Sequence, residues 1–389
     1  MSAYETGKFR NVFAELGYDE KEIGDRLENM FQTMFYGEEG VRVYYPVGDD
    51  MGFMTDTGNN DVRTEGMSYG MMMCLQLDKK EEFDRIWKWT WTYMHLDKGP
   101  NAGYFRWSCN LDGSSRSEGP APDGEEFFAM ALLFASRKWG DGQGVFEYSK
   151  HAKDILRTAV HGSNPMWDPE NHYIKFICEC DWTDPSYHLP HFYEMYAELA
   201  GEDKELWKLT ATESRKYLKK ACNPETGMSA EYAEYDGSPN NRPHVANNFG
   251  WRHDWFYSDA YRTIANIALD YSWFEADDWA IDIAKKIRIF YEDKCEIVDG
   301  EPTYPIFEID GTKTSHETLG DKVMHPYALL ATNAMSALAS KPGEMSQDAI
   351  NAVKLFWNTP LRTGERRYYD NCLQLFAMMA LSGNYRFYK

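Results

Sequence analysis

The sequence predicts an all-α protein, a closed toroid of six helical hairpins. Apolar residues recur at helical spacing in segment after segment, while the alternation of a half-buried strand is scarce. The helical segments are also of two kinds, taken in turn along the chain. One kind is rich in Met, Ala and Leu with few charges, and the other carries Lys, Asp and Glu on one face. An apolar helix followed by an amphipathic one, repeated, describes an inner ring inside an outer ring.

The segments follow in order. "EKEIGDRLENMFQTMF" gives a first helix over 20–36, "EGMSYGMMMCLQL" a second over 65–77, and "EEFDRIWKWTWTYMHL" a third over 81–96. "DGEEFFAMALLFASRKW" is the fourth, 123–139, stopped by Gly140, and "YSKHAKDILRTAVHG" the fifth, 148–162. "SYHLPHFYEMYAELAG" (186–201) and "EDKELWKLTATESRKYLKKAC" (202–222) come sixth and seventh. "SDAYRTIANIALDYSWF" (258–274) and "ADDWAIDIAKKIRIFYE" (276–292) are eighth and ninth. The last three are "HPYALLATNAMSALAS" (325–340), "SQDAINAVKLFW" (346–357) and "RRYYDNCLQLFAMMALSG" (366–383). Segments two, four, ten and twelve are the apolar ones, and three, five, seven, nine and eleven the amphipathic ones. With 389 residues the chain is long enough for two or three average domains or for one large closed architecture. No Pro- or Ser-rich linker divides it, so one domain over 1–389 is expected.

If the even-numbered helices are all inner, they run parallel and their N-termini surround one opening. Glu65, Asp123, Tyr187, Asp259, His325 and Tyr369 all fall in or near the first turn of such a helix. Acids, rings and an imidazole would then meet at one mouth.

Composition narrows the ligand. A net charge of -21 argues against a polyanion partner, which needs clustered Lys and Arg, and against an acidic membrane surface. No segment has the length and hydropathy to span a bilayer, and "MSAYETGKFRNVF" lacks a signal-peptide core. Aromatic residues make up 15% of the chain, with 13 Trp and 26 Tyr. Most belong to the core, yet such a supply in an acidic protein suits a neutral ligand with apolar faces and many hydroxyls. Seven dispersed Cys form no disulfide framework, and Cys178 and Cys180 have no partner pair for zinc. A reduced, cytoplasmic protein is the expectation.

Several motifs compete for the chemistry. Gly66-Met67-Ser68-Tyr69-Gly70 matches the G-x-S-x-G of a serine hydrolase elbow. That elbow needs a buried strand before it, and "TGNNDVRTE" is polar. Gly66 and Gly70 are better explained by close helix packing. His188, His191 and Glu194 in "HLPHFYE" step by three along one helix, but no HExxH occurs, and packed, hydrogen-bonded histidines are expected. No phosphate or dinucleotide loop is present, and Met71-Met72-Met73 reads as core filling. Glu65 suits a helix's positive end, Asp123 heads a capping-box-like Asp123-Gly124-Glu125-Glu126, and Asp259 suits an N-cap, so each acid alone has a structural explanation. Their convergence changes that. Glycoside hydrolysis needs one protonated carboxyl to donate to the leaving oxygen and one ionised carboxylate to act on water or the sugar. A helix N-terminus opposes protonation, so Glu65 needs apolar cover and a nearby anion such as Asp123.

"RTEGMSYGMMM", "APDGEEFFAMALLFAS", "DPSYHLPHFYE", "YSDAYR" and "RRYYDNCLQLFAMMALSG", in this order and across nearly the whole chain, resemble glycoside hydrolase family 8. "YYPVGDDMGFMTDTGNNDVRTEGMSYGMMM" and "MHPYALLATNAM" are most similar to its exo-acting members, which release xylose from the reducing end of xylo-oligosaccharides. The resemblance implies an (α/α)6 barrel and hydrolysis with inversion, without cofactor or metal. It gives Glu65 the general-acid role, Asp259 the general-base role, and Asp123 the task of holding the sugar at the cleaved position. It makes Trp107, Tyr187, Arg262 and Tyr369 substrate contacts, and His325 the residue that recognises the reducing-end xylose. "SPNNRPHVANNFGWRHDWF" (238–256) is longer than the family pattern and is expected to reshape the mouth. An endo-acting xylanase or β-glucanase of the family, and a non-catalytic sugar-binding toroid, remain the alternatives.

Overall fold

A computed structural model describes residues 2–243, 245, 252–317 and 320–389. Twelve helices of ten residues or more occur among them. They are α1 (Glu20–Tyr36), α2 (Thr64–Gln76), α3 (Lys80–Tyr93), α4 (Pro122–Trp139), α5 (Tyr148–His161) and α6 (Pro190–Leu199). Then come α7 (Lys204–Ala221), α8 (Tyr261–Phe274), α9 (Trp279–Tyr291), α10 (Pro326–Met335), α11 (Gln347–Asn358) and α12 (Arg367–Leu381).

The even-numbered helices form a closed ring: α2 packs on α4, α4 on α6, α6 on α8, α8 on α10, α10 on α12, and α12 back on α2. The odd-numbered helices lie outside, α1 against α12 and α3, α5, α7, α9 and α11 each against the helix before it. This is an (α/α)6 barrel. Burial follows the two compositions: all of α10 and α12 is buried and all of α2 except Glu65, whereas α3 buries only Phe83, Ile86, Trp87, Trp89 and Thr90. Met71, Met72 and Met73 are wholly inside. A methyl at Gly66 would sit 2.6 Å from the Tyr368 hydroxyl, and one at Gly70 2.7 Å from Met54. Both glycines serve close packing, as expected.

Two expectations are corrected below. Among the described residues the barrel also carries four two-stranded antiparallel ladders: β1 (Tyr44–Val47) with β2 (Met51–Met54), β3 (Val62–Arg63) with β4 (Ser108–Cys109), β5 (Glu296–Val298) with β6 (Glu301–Thr303), and β7 (Ile306–Phe307) with β8 (Lys313–Thr314). Strands of two to four residues are too short to display alternation. Asp123 is not an N-cap, because Pro122, pre-set for the first helical position, starts α4 one residue earlier and makes Ala121 the cap. The sixth segment is split: a 3-10 turn at Pro185–Tyr187 precedes α6, since Pro190 has no N–H to carry the helix through. His188 therefore lies outside the helix that carries His191 and Glu194. Of the 238–256 stretch, 244 and 246–251 fall outside the described residues.

The chain's two ends close the barrel where the inner helices finish. The Gln76 amide donates to the Arg386 carbonyl (2.8 Å) and accepts from the Arg386 N–H (3.0 Å). The Phe387 ring packs on Phe9, Trp273 and Tyr4.

Candidate active site

Where the inner helices begin, the barrel opens into a cleft of about 620 Å³. Glu65, Asp123, Asp259, Trp107, Tyr187, His325 and Tyr369 line it, and Arg262 lies buried beneath. The parallel inner ring thus brings the expected residues to one mouth.

Each acid is presented by a local device. The β3–β4 ladder runs straight into α2, with the Thr64 N–H on the Trp107 carbonyl (3.0 Å), and sets Glu65 in the first turn. Pro122 sets Asp123 in the first turn of α4, where its Oδ1 accepts from the Gly124 N–H (3.0 Å). Asp259 sits in a 3-10 turn, Ser258–Ala260, that leads into α8, and it makes no side-chain cap. The expected capping role for it is therefore also corrected.

Arg262, in the first turn of α8, gathers the acids. Its Nη1 donates to Glu65 Oε2 (3.0 Å), to Asp123 Oδ2 (3.3 Å) and to the Tyr69 hydroxyl (2.8 Å). Its Nη2 lies 3.4 Å from Asp259 Oδ1 and 3.7 Å from Asp184 Oδ2. The guanidinium fork is planar and rigid, so the Glu65 and Asp259 oxygens bound to it are at most about 9 Å apart. The rings of Tyr187 and Tyr369 cover it at 5.6 and 5.9 Å.

One cation cannot neutralise four carboxyls out of water, so protons must be retained. Burial, helped by the charges of Asp123 and Asp259, raises Glu65 to about 7 against the pull of Arg262. Burial likewise raises Asp123 to about 6 against the pull of Arg262. Asp184 is driven well up by burial and by the charge of Asp259. The positive ends of α2 and α4 act the other way and lose, being worth only ~0.3–2 kcal/mol. Asp259 has the wettest side chain of the four, 28% exposed against 16% for Glu65, 8% for Asp123 and none for Asp184. The site therefore pairs a carboxyl protonated near neutrality with one that water reaches.

The cleft's walls differ in character. Trp107, 40% exposed, offers a broad ring above Arg63 (5.4 Å), which Asp56 and Asp61 hold in place. His325 is the N-cap residue of α10, its ring edge-on to Tyr369 at 5.0 Å. Its Nδ1 bonds Asp370 (3.0 Å), and Asp370 is fixed in turn by the Ala328 N–H and by Arg362. A carboxylate on Nδ1 makes that nitrogen the donor and leaves Nε2 for the cleft.

Sequence reasoning missed Tyr368, whose hydroxyl donates to Glu65 Oε1 (2.9 Å), and Asp184, Asp370, Glu231 and His253. Nothing in the spacing of "DPSYH", "RRYYD" or "SAEYA" separates these from ordinary polar residues. The competing motifs disperse. The Ser68 hydroxyl is buried and donates to the Glu65 carbonyl (3.0 Å). His188 bonds Ser214 and Thr183, His191 packs on Phe192 and Trp273, and Glu194 pairs with Arg215. The three do not converge, and burial lowers both histidines to about 3.

The chain belongs to glycosyl hydrolases family 8, whose family model matches residues 31–383. It is thus a glycoside hydrolase of an inverting family. It is 52% identical over 392 residues to the reducing-end xylose-releasing exo-oligoxylanase Rex8A of Paenibacillus barcinonensis, covering 99% of this chain and 98% of that one. It is 50% identical over 392 residues to a reducing end xylose-releasing exo-oligoxylanase of Halalkalibacterium halodurans (99% and 95%). A solved variant of Rex8A complexed with an arabinofuranosyl-xylotetraose superposes with a TM-score of 0.93 at 50% identity, covering 100% of this chain and 98% of that one.

Proposed function

We propose that the protein, acting as one catalytic domain over 1–389, hydrolyses β-1,4-xylo-oligosaccharides with inversion and releases xylose from the reducing end. The observation that carries this is the pair of carboxyls on one buried guanidinium, Glu65 held near 7 and Asp259 open to water. Glu65 donates its proton to the glycosidic oxygen as the C1–O bond breaks. Asp259 takes a proton from a water whose oxygen bonds C1 from the opposite face. Inverting pairs stand ~6.5–9.5 Å apart to admit that water, and the bound of about 9 Å on these oxygens is compatible with it. Asp123, hydrogen-bonded to Arg262 beside both, holds the sugar at the cleaved position. Trp107, Tyr187 and Tyr369 give sugar faces their apolar surface, and Arg262 keeps the acids in register. His325 bonds the reducing-end xylose. The proton transfers run from Glu65 to the leaving oxygen and from water to Asp259, so no cofactor is required. Seven unpaired cysteines fit a reducing, cytoplasmic compartment.

The test is the product pattern and its stereochemistry. Xylotriose should give xylose and xylobiose with the new reducing end first appearing as the α-anomer by NMR, while long xylan is hardly shortened. Initial β-anomer would overturn the assigned roles. Rapid internal cleavage of xylan would make it an endo-enzyme, and sugar binding without turnover a non-catalytic toroid.

A further inference from the structure

The two carboxyl oxygens of Glu65 keep unequal company. Oε2 accepts from Arg262 Nη1 (3.0 Å), but that nitrogen also reaches Asp123 Oδ2 and the Tyr69 hydroxyl. Among the described residues Oε1 accepts from one group, the Tyr368 hydroxyl (2.9 Å). Tyr368 is buried, in the first turn of α12, and lines the cleft.

The sequence leaves room for this bond. A methyl on Gly66 would stand 2.6 Å from the Tyr368 hydroxyl and 2.8 Å from its ring. Any side chain there would push the phenol off the acid next door, so the glycine after Glu65 is a condition of the contact. Tyr369 turns the other way, its hydroxyl donating to the Ser258 carbonyl (3.1 Å) on the turn that carries Asp259. One dipeptide at the head of α12 thus reaches the acid with its first ring and the turn of the base with its second.

Such a donor matters most once the proton has gone. A hydrogen bond to a carboxylate is roughly twice as strong as one to a neutral carboxyl. As Glu65 gives up its proton, charge develops beside Asp123 and Asp259, which oppose it, and opposite a hydroxyl already aimed at Oε1. An interaction that strengthens along the reaction lowers its barrier, whereas one of constant strength does not.

We propose that Tyr368 is the positioning residue of Glu65: its hydroxyl holds Oε1 in place and stabilises the carboxylate that forms there as the proton passes to the glycosidic oxygen. This rests on the reading of Glu65 as general acid. Tyr368 keeps its own proton throughout. The one proton that moves at this end goes from Glu65 to the leaving oxygen, which takes the electron pair of the broken C1–O bond.

The experiment compares Tyr368→Phe with wild type on xylotriose, reading kcat, KM, melting temperature and the pH profile of kcat/KM. Phenylalanine keeps the ring and removes only the donor. Its kcat should fall by about tenfold with KM within about twofold. Without the donor the Glu65 carboxylate is less favoured, so the alkaline decline should move about one pH unit higher. Arg262, Asp259, Asp123 and Arg63 also face Glu65, as do Tyr69, Tyr369 and Cys372, and Asp56 faces Tyr368. All of these remain in the variant, so the displacement belongs to the hydroxyl. An alkaline decline left in place or moved lower, an unchanged kcat, or a loss confined to KM (direct sugar binding) would each overturn the proposal, whatever the melting temperature. Glu65→Gln, alone and combined with Tyr368→Phe, tests the underlying reading separately. With Glu65 as the acid, the alkaline decline disappears in Glu65→Gln, and the second change lowers kcat by less than about twofold more. Full activity with the wild-type profile in Glu65→Gln would overturn that reading and the proposal together. An unmoved Tyr368→Phe beside an impaired Glu65→Gln would overturn the proposal alone.

Discussion

The two openings of the barrel are made by the same six inner helices and treat polar groups in opposite ways. Where those helices end, the tail pairs with them: the Gln76 amide and the Arg386 backbone satisfy each other in both directions. The Trp273 N–H donates to the Tyr385 carbonyl, and Lys138 and Arg386 donate to carbonyls at the ends of α2 and α12. Aromatic rings of Tyr4, Phe9, Phe274 and Phe387 cover the remainder. Where the helices begin, four carboxyls share one guanidinium and a cleft of about 620 Å³ stays open. One end spends its polar groups on stability. The other buries carboxyls together over a single guanidinium, and that burial, with the neighbouring acids, keeps a proton on Glu65.

Removing the reacting groups tests the mouth most severely. Glu65→Ala and Asp259→Ala should each lose ~10²–10⁴-fold in kcat, the usual worth of a general acid or base, while Ser68→Ala keeps most activity. Initial rates on xylotriose decide this, and strong inhibition by a serine-directed phosphonate would overturn it.

Next come two variants of similar cost to folding but different meaning. Arg262→Met strands buried acids without their cation, a loss of ~3–5 kcal/mol. Urea midpoints should show that loss shrinking from pH 8 to pH 5, as the acids take up protons. Phe387→Ala at the opposite end should also cost ~3–5 kcal/mol, from lost packing alone. Its loss should not vary with pH, and kcat per folded molecule should stay at the wild-type value. A pH-independent loss for Arg262→Met would erase the distinction between the two ends.

A smaller effect sharpens the electrostatic side. As the proposed general acid, Glu65 would act only while protonated, so activity should be present below about 7 and decline as pH rises through it. The same shift bears on stability. A carboxyl raised in the folded state contributes fully below its unfolded value near 4.3 and loses that contribution as pH rises through about 7. Glu65→Gln, never charged, should therefore melt a few degrees above wild type at pH 8 and close to it at pH 4. An equal melting temperature at pH 8 would mean that Glu65 is not strained by ionisation.

The ring of helices was legible because burial writes itself into composition: α10 and α12, wholly buried, carry few charges, and α3 and α7 do not hide theirs. The mouth followed from parallel inner helices. What connects its residues was not legible. Arg262 meets Glu65 from 197 positions away and Tyr368 meets it from 303, distances at which periodicity carries no information. Asp123 misled in the opposite sense, since an acid near the start of a helix has an ordinary capping explanation that only Pro122 and the observed bonds displace. The short ladders were invisible for want of length, yet one of them, β3–β4, delivers Glu65.

The finest contrast lies within the mouth, between the groups proposed to decide whether cleavage occurs and the one proposed to decide where. An exo-enzyme must refuse the interior of a chain and favour its free end. His325 is placed for this: Asp370 holds Nδ1, and the ring stands at the cleft beside Tyr369 with Nε2 available. A reducing-end xylose carries an anomeric hydroxyl that can donate to such a nitrogen, whereas an interior xylose offers a glycosidic oxygen with no proton to give. Leaving the imidazole unpaired costs ~1–3 kcal/mol. Wild type should therefore cleave xylotriose but spare an analogue blocked at the reducing end. His325→Ala should lose about 10-fold or more on xylotriose and discriminate less against the blocked analogue, with the α-anomer still formed first. If His325 only began α10 ahead of Pro326, the variant would melt lower and keep its discrimination. Equal cleavage of free and blocked substrates by wild type would leave an inverting glycosidase without an exo-selective mouth.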